Sequence, residues 1–477
     1  MTMEATQPQA DDEDGRRPVR RSRRLNALER LEDRMDQARK TLRPTRISGV
    51  VSGVSSSHYE VTGLSRFLKL GEFVEIENEG RLQVGEVVRI DSASAMLKPF
   101  DSHCEAGIGA LAHRAERFTL RPHELWKGRV IDALGAPIDG AGPLRPGDRL
   151  MFVDKEPPPP LLRSRVKDPI RTGIRVIDLF TPLCAGQRIG IFAGSGVGKS
   201  SLLAMLARAP DFDVVVLALV GERGREVREF LDDTLGERRK SSIAVVSTGG
   251  ESPLMRRLAP RTAMTVAEYF RDQGQSVLLL VDSVTRFAHA ARDVALAAGE
   301  PPVARGYAPS VFSDLPRLLE RAGPGLEGGG SITGVFSVLV DGDDHNDPVA
   351  DNIRGTLDGH IVLDRAIADQ GRYPAVNILS SISRIPHPNW TGDHCNLVNR
   401  LRSMVARYEE TRDLRLMGGY VAGSDPVLDE AVKSVPLLYK ALTQGPNCPS
   451  CQDPFADLAA AFREGAKSKD PAGAGKV

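Results

Sequence analysis

Residues 188–206 read RIGIFAGSGVGKSSLLAML, and this stretch constrains the fold of the 477-residue chain more than any other. An apolar run suited to a buried strand leads into three glycines, and an apolar run suited to a helix follows. Gly194, Gly196 and Gly198 permit the backbone to wrap and to aim its N–H groups inward. Together with the N-terminus of the following helix, these donors form a nest for an anion. The stretch therefore predicts a phosphate-binding turn between a strand and a helix.

The spacing matches the phosphate-binding loop of nucleoside triphosphatases, with Ala193 at the position of the usual first glycine. Lys199 would supply a mobile cation for the β- and γ-phosphate oxygens, and Ser200 a hydroxyl for Mg²⁺. A glycine-rich turn that merely opens an ordinary helix is the alternative, and the Gly-Lys-Ser ending argues against it. The predicted ATP-binding residues of the loop are Gly194, Ser195, Gly196, Val197, Gly198, Lys199, Ser200 and Ser201.

Two acidic residues stand where apolar strands end. Asp282 closes the run SVLLLVD, where it would hold the shell of Mg²⁺, since an unpartnered carboxylate there is expensive to bury. Glu222 follows the run DVVVLALVG, on the side where α/β sheets gather ligands. Hydrolysis needs a group that orients and polarises water, and Glu222 is the candidate base. Arg223 and Glu226 are candidate partners that would orient it. The alternative is that this charged stretch is only the solvated start of a helix.

The chain divides by pattern into four parts. Residues 1–45 carry acidic and arginine-rich blocks and then an amphipathic helix, and they predict a partner-binding head with disordered portions. Residues 46–118 are valine-rich and punctuated by turns, which indicates a small β-barrel. Residues 119–385, which include a proline-rich connector, alternate near-continuous apolar strands with helices and predict a parallel α/β domain. The last of these predicted strands is AVNILS at residues 375–380. Residues 386–477 predict a helical C-terminal domain with a disordered tail.

Composition excludes several classes of protein. The formal net charge is zero and aromatic residues make up 5% of the chain, which argues against a nucleic-acid partner. No apolar run approaches the roughly 20 residues that span a bilayer, and no signal-peptide core follows the acidic start. Five cysteines suit a reducing cytoplasm. Cys448 and Cys451 form a Cys-x-x-Cys pair, but without a second pair or nearby histidines it favours two reduced thiols over zinc.

A wider set of segments carries a resemblance to a known family. AGSGVGKSS, GERGREVREF, TVAEYFRDQGQSVLLLVDSVTRFA and RYPAVNILSSISR resemble, in the same order, segments of the catalytic subunits of rotary ATP synthases. GLSRFLKLGEFV, GYAPSVFSDLPRLLERAG and DGDDHNDPVADNIRGTLDGHIVLDR look most like type III secretion ATPases, the flagellum-specific export ATPases in particular. The resemblance covers roughly residues 47–440. It implies a P-loop NTPase (RecA-like) α/β core with an N-terminal β-barrel and a C-terminal α-helical domain.

The resemblance also implies roles for residues at matching positions. Lys199 and Ser200 would be the loop lysine and the Mg²⁺ ligand, with Asp282 as second metal ligand and Glu222 as catalytic carboxylate. Further roles fall to four residues: Arg223 and Arg286 would line the nucleotide site, Tyr373 would lie against the adenine ring, and Arg384 would be an arginine finger. The finger would act on the neighbouring subunit's γ-phosphate, where a guanidinium neutralises charge in the transition state.

Partners are implied by the same resemblance. A homohexamer would hydrolyse Mg-ATP to release chaperones and deliver flagellar substrates at the export gate, bound to a stator-like regulatory subunit and a central stalk protein. The protein would be cytoplasmic and peripheral at the inner face of the cytoplasmic membrane. The alternatives are an injectisome export ATPase, a catalytic subunit of a rotary proton-translocating ATPase, and a hexameric RNA translocase. A non-hydrolysing regulatory subunit would lack Glu222 or Lys199, and this chain has both.

Overall fold

The structure is a computed structural model and describes residues 46–115, 117–340, 347–385 and 390–467, together with Leu31 and Met35. The chain forms two compact units, Met1–Ser48 and Gly49–Val477. In the first unit, Leu31 and Met35 are helical and exposed. The rest of the predicted head and the predicted disordered tail after residue 467 lie outside the described residues.

The second unit begins with the predicted barrel. Its strands are β1 (Ser48–Val54), β2 (Tyr59–Thr62), β3 (Phe73–Asn78), β4 (Arg81–Ile90), β5 (Ser94–Pro99) and β6 (Leu111–Arg114). They close in the order β1-β2-β5-β4-β3-β6. Burial alternates along β1 and β2, because successive side chains of a strand point to opposite faces. Tyr59 and Val61 therefore point into the barrel core, and the predicted barrel is confirmed.

A nine-stranded sheet forms the centre of the second unit. Its strands run in the order β19-β18-β12-β17-β15-β13-β14-β8, with β16 paired to β17. Their bounds are β8 (Val130–Ile131), β12 (Arg188–Ala193), β13 (Val214–Glu222), β14 (Ser242–Thr248), β15 (Ser276–Asp282), β16 (Gly323–Pro324), β17 (Ser331–Leu339), β18 (Gly359–Leu363) and β19 (Ile382–Ser383). Every pairing from β18 to β8 is parallel, as predicted. Two-residue strands β7 (Thr119–Leu120), β9 (Met151–Phe152), β10 (Pro169–Ile170) and β11 (Leu183–Cys184) form two small separate sheets.

Helices cover both faces of the sheet. One face packs on α4 (Pro253–Asp272), α5 (Val284–Ala297), α6 (Pro309–Leu319) and α7 (Pro348–Thr356). The other packs on α1 (Arg175–Phe180), α2 (Lys199–Ala207) and the C-terminal helices α9 (Gly392–Glu410) and α11 (Pro426–Leu442). Shorter or more peripheral helices are α3 (Gly224–Glu229), α8 (Arg365–Asp369), α10 (Arg412–Leu416) and α12 (Pro454–Lys467). None of the described helices has both the length and the apolarity that crossing a membrane requires.

One predicted strand, AVNILS at 375–380, is wrong. Val376 makes a single bridge to Leu363, and the chain then turns. Pro374 cannot donate to a ladder, and Asn377 closes the turn by accepting from the N–H groups of Leu379 and Ser380. Val376 and Ile378 are instead buried in the cluster that packs the sheet against the C-terminal helices, whereas Leu379 is exposed.

Candidate active site

The predicted phosphate loop connects β12 to α2 at the carboxyl edge of the sheet. Gly196 and Gly198 have φ of 78° and 93°, in the left-handed region that glycine tolerates best. Gly198 is the N-cap of α2, so its backbone conformation directs the chain into the helix that Lys199 begins. The local sequence thus forms the turn between a strand and a helix that its spacing predicts, and the anion nest remains a prediction.

Two neighbouring parallel strands bring their final carboxylates to this loop. β13 lies beside β15 with Leu219 opposite Asp282, and Glu222 follows after a register shift at Gly221. The amine of Lys199 contacts Oδ1 of Asp282 and lies 3.9 Å from Oε1 of Glu222. Only 8% of the Asp282 side chain and 12% of the Glu222 side chain are exposed. The structure therefore places both predicted carboxylates beside the predicted lysine.

A second cation faces Glu222. Nη1 of Arg286, on α5, lies 2.6 Å from Oε1 of Glu222 and also donates to the carbonyl of Val220 at 3.4 Å. Burial raises the pKa of Glu222, and the hydrogen bond from Arg286 opposes that rise. A carboxylate whose pKa is raised accepts a proton more readily, which suits a general base.

Ser337 belongs to this cluster, although its sequence context gave little sign of it. It lies on β17, the strand next to β15, and its hydroxyl donates to Oδ1 of Asp282 at 2.6 Å. The residue is completely buried. A polar residue inside the apolar run ITGVFSVLV was the available signal, since a buried hydroxyl needs a partner. Ser337 fixes the orientation of Asp282.

The segment after β18 covers the loop from the other side. The ring of Tyr373 lies against Gly198, with Cδ1 and Cε1 both 3.3 Å from the position that a Cβ would take there. Tyr373 is 42% exposed. Arg365, at the start of α8, donates to the carbonyl of Ser195 at 3.1 Å. The sequence prediction included Tyr373 but missed Arg365, whose place on the loop depends on the tertiary fold.

Two predicted arginines lie away from this cluster. The side chain of Arg223 is 86% exposed and points toward Glu226, 3.8 Å away. Arg384 donates to the carbonyls of Leu357 and Arg354, each at 3.3 Å. These partners lie near the start of β12, where Asp358 pairs with Arg188.

The arrangement places Arg384 far from the loop of its own chain. The six residues of β12 separate the amino edge from the phosphate loop, which corresponds to about 20 Å of strand. The loop, the carboxylates and Arg286 therefore meet in one chain, whereas Arg384 lies at the opposite edge.

The oxygen donors at the loop suit a hard cation. Ser200 offers a hydroxyl and Asp282 a carboxylate, and Mg²⁺ prefers such ligands with phosphate oxygens and water completing its shell. Among the described residues, no group of three or more histidine, cysteine, aspartate or glutamate side chains could hold a metal alone. Cys448 is exposed, while the buried Cys451 places its sulfur 3.1 Å from Oδ2 of Asp457.

Comparisons with known proteins agree with this architecture. Residues 173–383 match the ATP synthase alpha/beta family, nucleotide-binding domain, and residues 390–460 match the T3SS EscN ATPase C-terminal domain. The flagellum-specific ATP synthase of Agrobacterium fabrum is 57% identical over 423 residues, which cover 89% of either chain. The SPI-2 type 3 secretion system ATPase of Salmonella typhimurium is 46% identical and covers 76% of this chain and 83% of that protein.

Solved structures show the same likeness in three dimensions. The assembled ATPase EscN from the enteropathogenic E. coli type III secretion system is 39% identical with a TM-score of 0.79. The match covers 87% of this chain and 100% of that chain. A second structure holds assembled EscN in complex with its central stalk EscO, at 38% identity and a TM-score of 0.78.

Proposed function

This chain belongs to the ATP synthase alpha/beta family, among its flagellum-specific type III export ATPases, and we propose that it works as a homohexameric ring. In that ring, hydrolysis of Mg-ATP would release chaperones and deliver export substrates. The assembled form of EscN supports the ring. The hydrolysis of ATP is supported by one observation above all. The two carboxylates Glu222 and Asp282 meet Lys199 at the end of the phosphate loop.

Glu222 is the proposed general base. Its raised pKa and its position beside the loop suit it to take a proton from the attacking water. Arg286 holds the carboxylate by a 2.6 Å contact and fixes the direction from which it acts. Lys199 lies between the two carboxylates, so a small movement of its flexible stem brings the amine to the phosphate oxygens.

Ser200 and Asp282 would hold Mg²⁺, which when bound neutralises negative charge on the β- and γ-phosphate oxygens. Ser337 keeps Asp282 oriented toward the loop through its 2.6 Å hydrogen bond. The backbone N–H groups from Gly194 to Ser201 would bind the phosphates. Tyr373 would lie along the adenine ring, on the side of the loop where its ring meets Gly198.

Arg384 is proposed to act on the neighbouring copy. Its place about 20 Å of strand from its own loop keeps it from reaching the γ-phosphate bound by the same chain. A ring would bring the amino edge of one copy to the nucleotide of the next. Arg223 directly follows Glu222, and its exposed side chain points out of the cluster, so it would face the neighbouring copy at that interface.

Two substitutions test the site directly. Glu222→Gln in the purified full-length protein keeps ATP binding, because the phosphate contacts remain, but lowers kcat about a hundredfold to ten-thousandfold. Lys199→Ala loses both binding and turnover. Steady-state hydrolysis and calorimetric ATP binding measure the two effects. Glu229→Gln, an exposed glutamate on α3, is the matched control and keeps normal turnover. Unimpaired hydrolysis in either site variant would remove the assignment.

The remaining partners are proposed from the family. They are a central stalk protein, such as the one that EscN binds, a stator-like regulatory subunit, and the export gate. Residues 1–45 are the proposed docking segment for the regulatory subunit and for reversible contact with anionic lipid at the membrane. Deletion of residues 1–45 is expected to spare ATP binding and to abolish capture of the regulatory subunit in a pulldown. An injectisome role is the runner-up, favoured by the 46% identity to the SPI-2 ATPase.

A further inference from the structure

The ring of Tyr373 lies against the phosphate loop at Gly198, and the residue is 42% exposed. The carbonyl of Tyr373 accepts from the N–H of Gln444 at 2.8 Å, which ties its backbone to the end of α11. No hydrogen bond from its hydroxyl is present among the described residues. The contact with Gly198 and the backbone around Tyr373 therefore contribute to the orientation of this ring.

The preceding residue, Arg372, reaches in the other direction. Its guanidinium lies over the ring of Tyr439, with Cζ 3.7 Å from the ring centroid. Tyr439 lies on α11, and its hydroxyl donates to Oε1 of Glu409 on α9 at 2.5 Å. Tyr373, Arg372, Tyr439 and Glu409 thus form a continuous chain from the phosphate loop to two C-terminal helices.

The contacts of Arg372 and Tyr439 depend on the orientation of their side chains. A flat guanidinium stacks on a ring in a way that an ammonium cannot reproduce. Nε of Arg372 is buried and makes no hydrogen bond with the described residues, and the contact with Tyr439 helps to orient this side chain. Burial and then the neighbouring Glu409 raise the pKa of Tyr439, and Arg372 opposes that rise without reversing it, so the phenol keeps its proton and remains a donor.

A cavity of about 270 Å³ lies beside the same residues and is walled by Arg372, Tyr373, Glu409 and Tyr439. Close packing usually fixes a buried segment without help. Here the segment borders open space on this side, so the contacts of Arg372 with Tyr439 and of Tyr373 with Gln444 add to the backbone hydrogen bonds that hold it.

We propose that Arg372, Tyr439 and Glu409 are positioning residues that hold the ring of Tyr373 against the phosphate loop and so set the affinity for the nucleobase. This inference rests on the proposed contact between Tyr373 and adenine. The C-terminal helices would then influence nucleotide affinity, because Glu409 lies on α9 and Tyr439 lies on α11.

The test compares two ligands on the full-length protein with Mg²⁺. Arg372→Lys keeps the charge but loses the flat stacking surface, and Tyr439→Phe keeps the ring but loses the hydroxyl. Each is expected to weaken the Kd for ATP about threefold to tenfold and to leave the Kd for inorganic tripolyphosphate within twofold of wild type. Glu409→Ala, which removes the acceptor of the Tyr439 hydroxyl, is expected to weaken ATP binding to a similar extent. Glu409→Gln keeps an acceptor oxygen and is expected to bind ATP with near-normal affinity.

A double-mutant cycle with Tyr373→Ala separates positioning from general stability. If Arg372 acts through Tyr373, then Arg372→Lys adds nothing in the Tyr373→Ala background. Additive losses, or equal weakening of ATP and tripolyphosphate, would overturn the inference. Normal ATP affinity in both Arg372→Lys and Tyr439→Phe, with a loss in Tyr373→Ala, would overturn it while sparing the proposed function. Unchanged ATP affinity in Tyr373→Ala would instead remove the assignment of Tyr373 itself.

Discussion

At the scale of single residues, the site is a balance of two carboxylates and two cations in a largely buried space. Burial alone would favour protonated Glu222, and Arg286 restrains that tendency through its 2.6 Å contact. Glu226 acts in the opposite sense, because a hydrogen bond between two carboxyl groups favours a shared proton. Two neighbours therefore change the pKa of the proposed base in opposite directions: Arg286 lowers it and Glu226 raises it.

This balance predicts opposite pH shifts for two variants. The base must be deprotonated to act, so kcat/KM falls as pH drops through its pKa. Arg286→Gln removes a group that lowers the pKa of Glu222, so the acid limb moves to higher pH. Glu226→Gln removes a group that raises it, so the limb moves to lower pH. The pH profile of kcat/KM measures both, with Glu229→Gln as the unshifted control. A shift of both limbs in the same direction would contradict the account.

Whether a site residue could be predicted from the sequence depends on its position relative to the strands and turns. Asp282 and Glu222 each end an apolar strand, and Lys199 begins the helix after the glycine turn that follows another strand. Parallel strands end at one edge of the sheet, so the pattern alone predicts that these residues meet. Ser337 and Arg365 lie inside a strand and at the start of a short helix. Their contacts depend on which strands are neighbours and on how the chain returns over the loop, which local pattern does not specify.

At the scale of elements, continuous apolar runs predicted the buried parallel strands because both faces of this sheet are covered by helices. The same rule failed at residues 375–380, since an apolar run can also be buried as a turn under C-terminal helices. Pro374 and Asn377 were the local signals of that turn. The prediction of the phosphate loop was correct at this level because Gly196 and Gly198 adopt positive φ angles that glycine tolerates best.

Gly198 offers a prediction at this scale. Alanine at its φ of 93° costs about 1–2 kcal/mol, and its Cβ would lie 3.3 Å from the ring of Tyr373. Gly198→Ala is therefore expected to weaken ATP binding at least about tenfold by calorimetry. Gly224→Ala, where a Cβ meets nothing within 4 Å, is the control and binds ATP normally. Wild-type affinity in Gly198→Ala would show that the loop does not need this conformation.

At the scale of the whole molecule, the position of Arg384 decides how the site is completed. The sequence and its family resemblance predicted a finger acting on a neighbour, but one chain read alone could not say how far Arg384 lies from its own loop. Its contacts at Leu357 and Arg354 place it at the amino edge of the sheet. The loop, the base and the proposed metal ligands lie at the carboxyl edge.

The central claim is that each active site is built from two copies of this chain, and mixing two inactive variants tests it most directly. Copies with Glu222→Gln retain Arg384, and copies with Arg384→Ala retain Glu222, so mixed rings contain some complete sites. The account predicts that co-assembled mixtures regain ATP hydrolysis well above the sum of the separate variants. Mixtures of Glu222→Gln with Lys199→Ala, both defective on the same side, regain none. Failure of the first mixture to recover any hydrolysis, or full-speed hydrolysis by a monomer, would contradict the shared site.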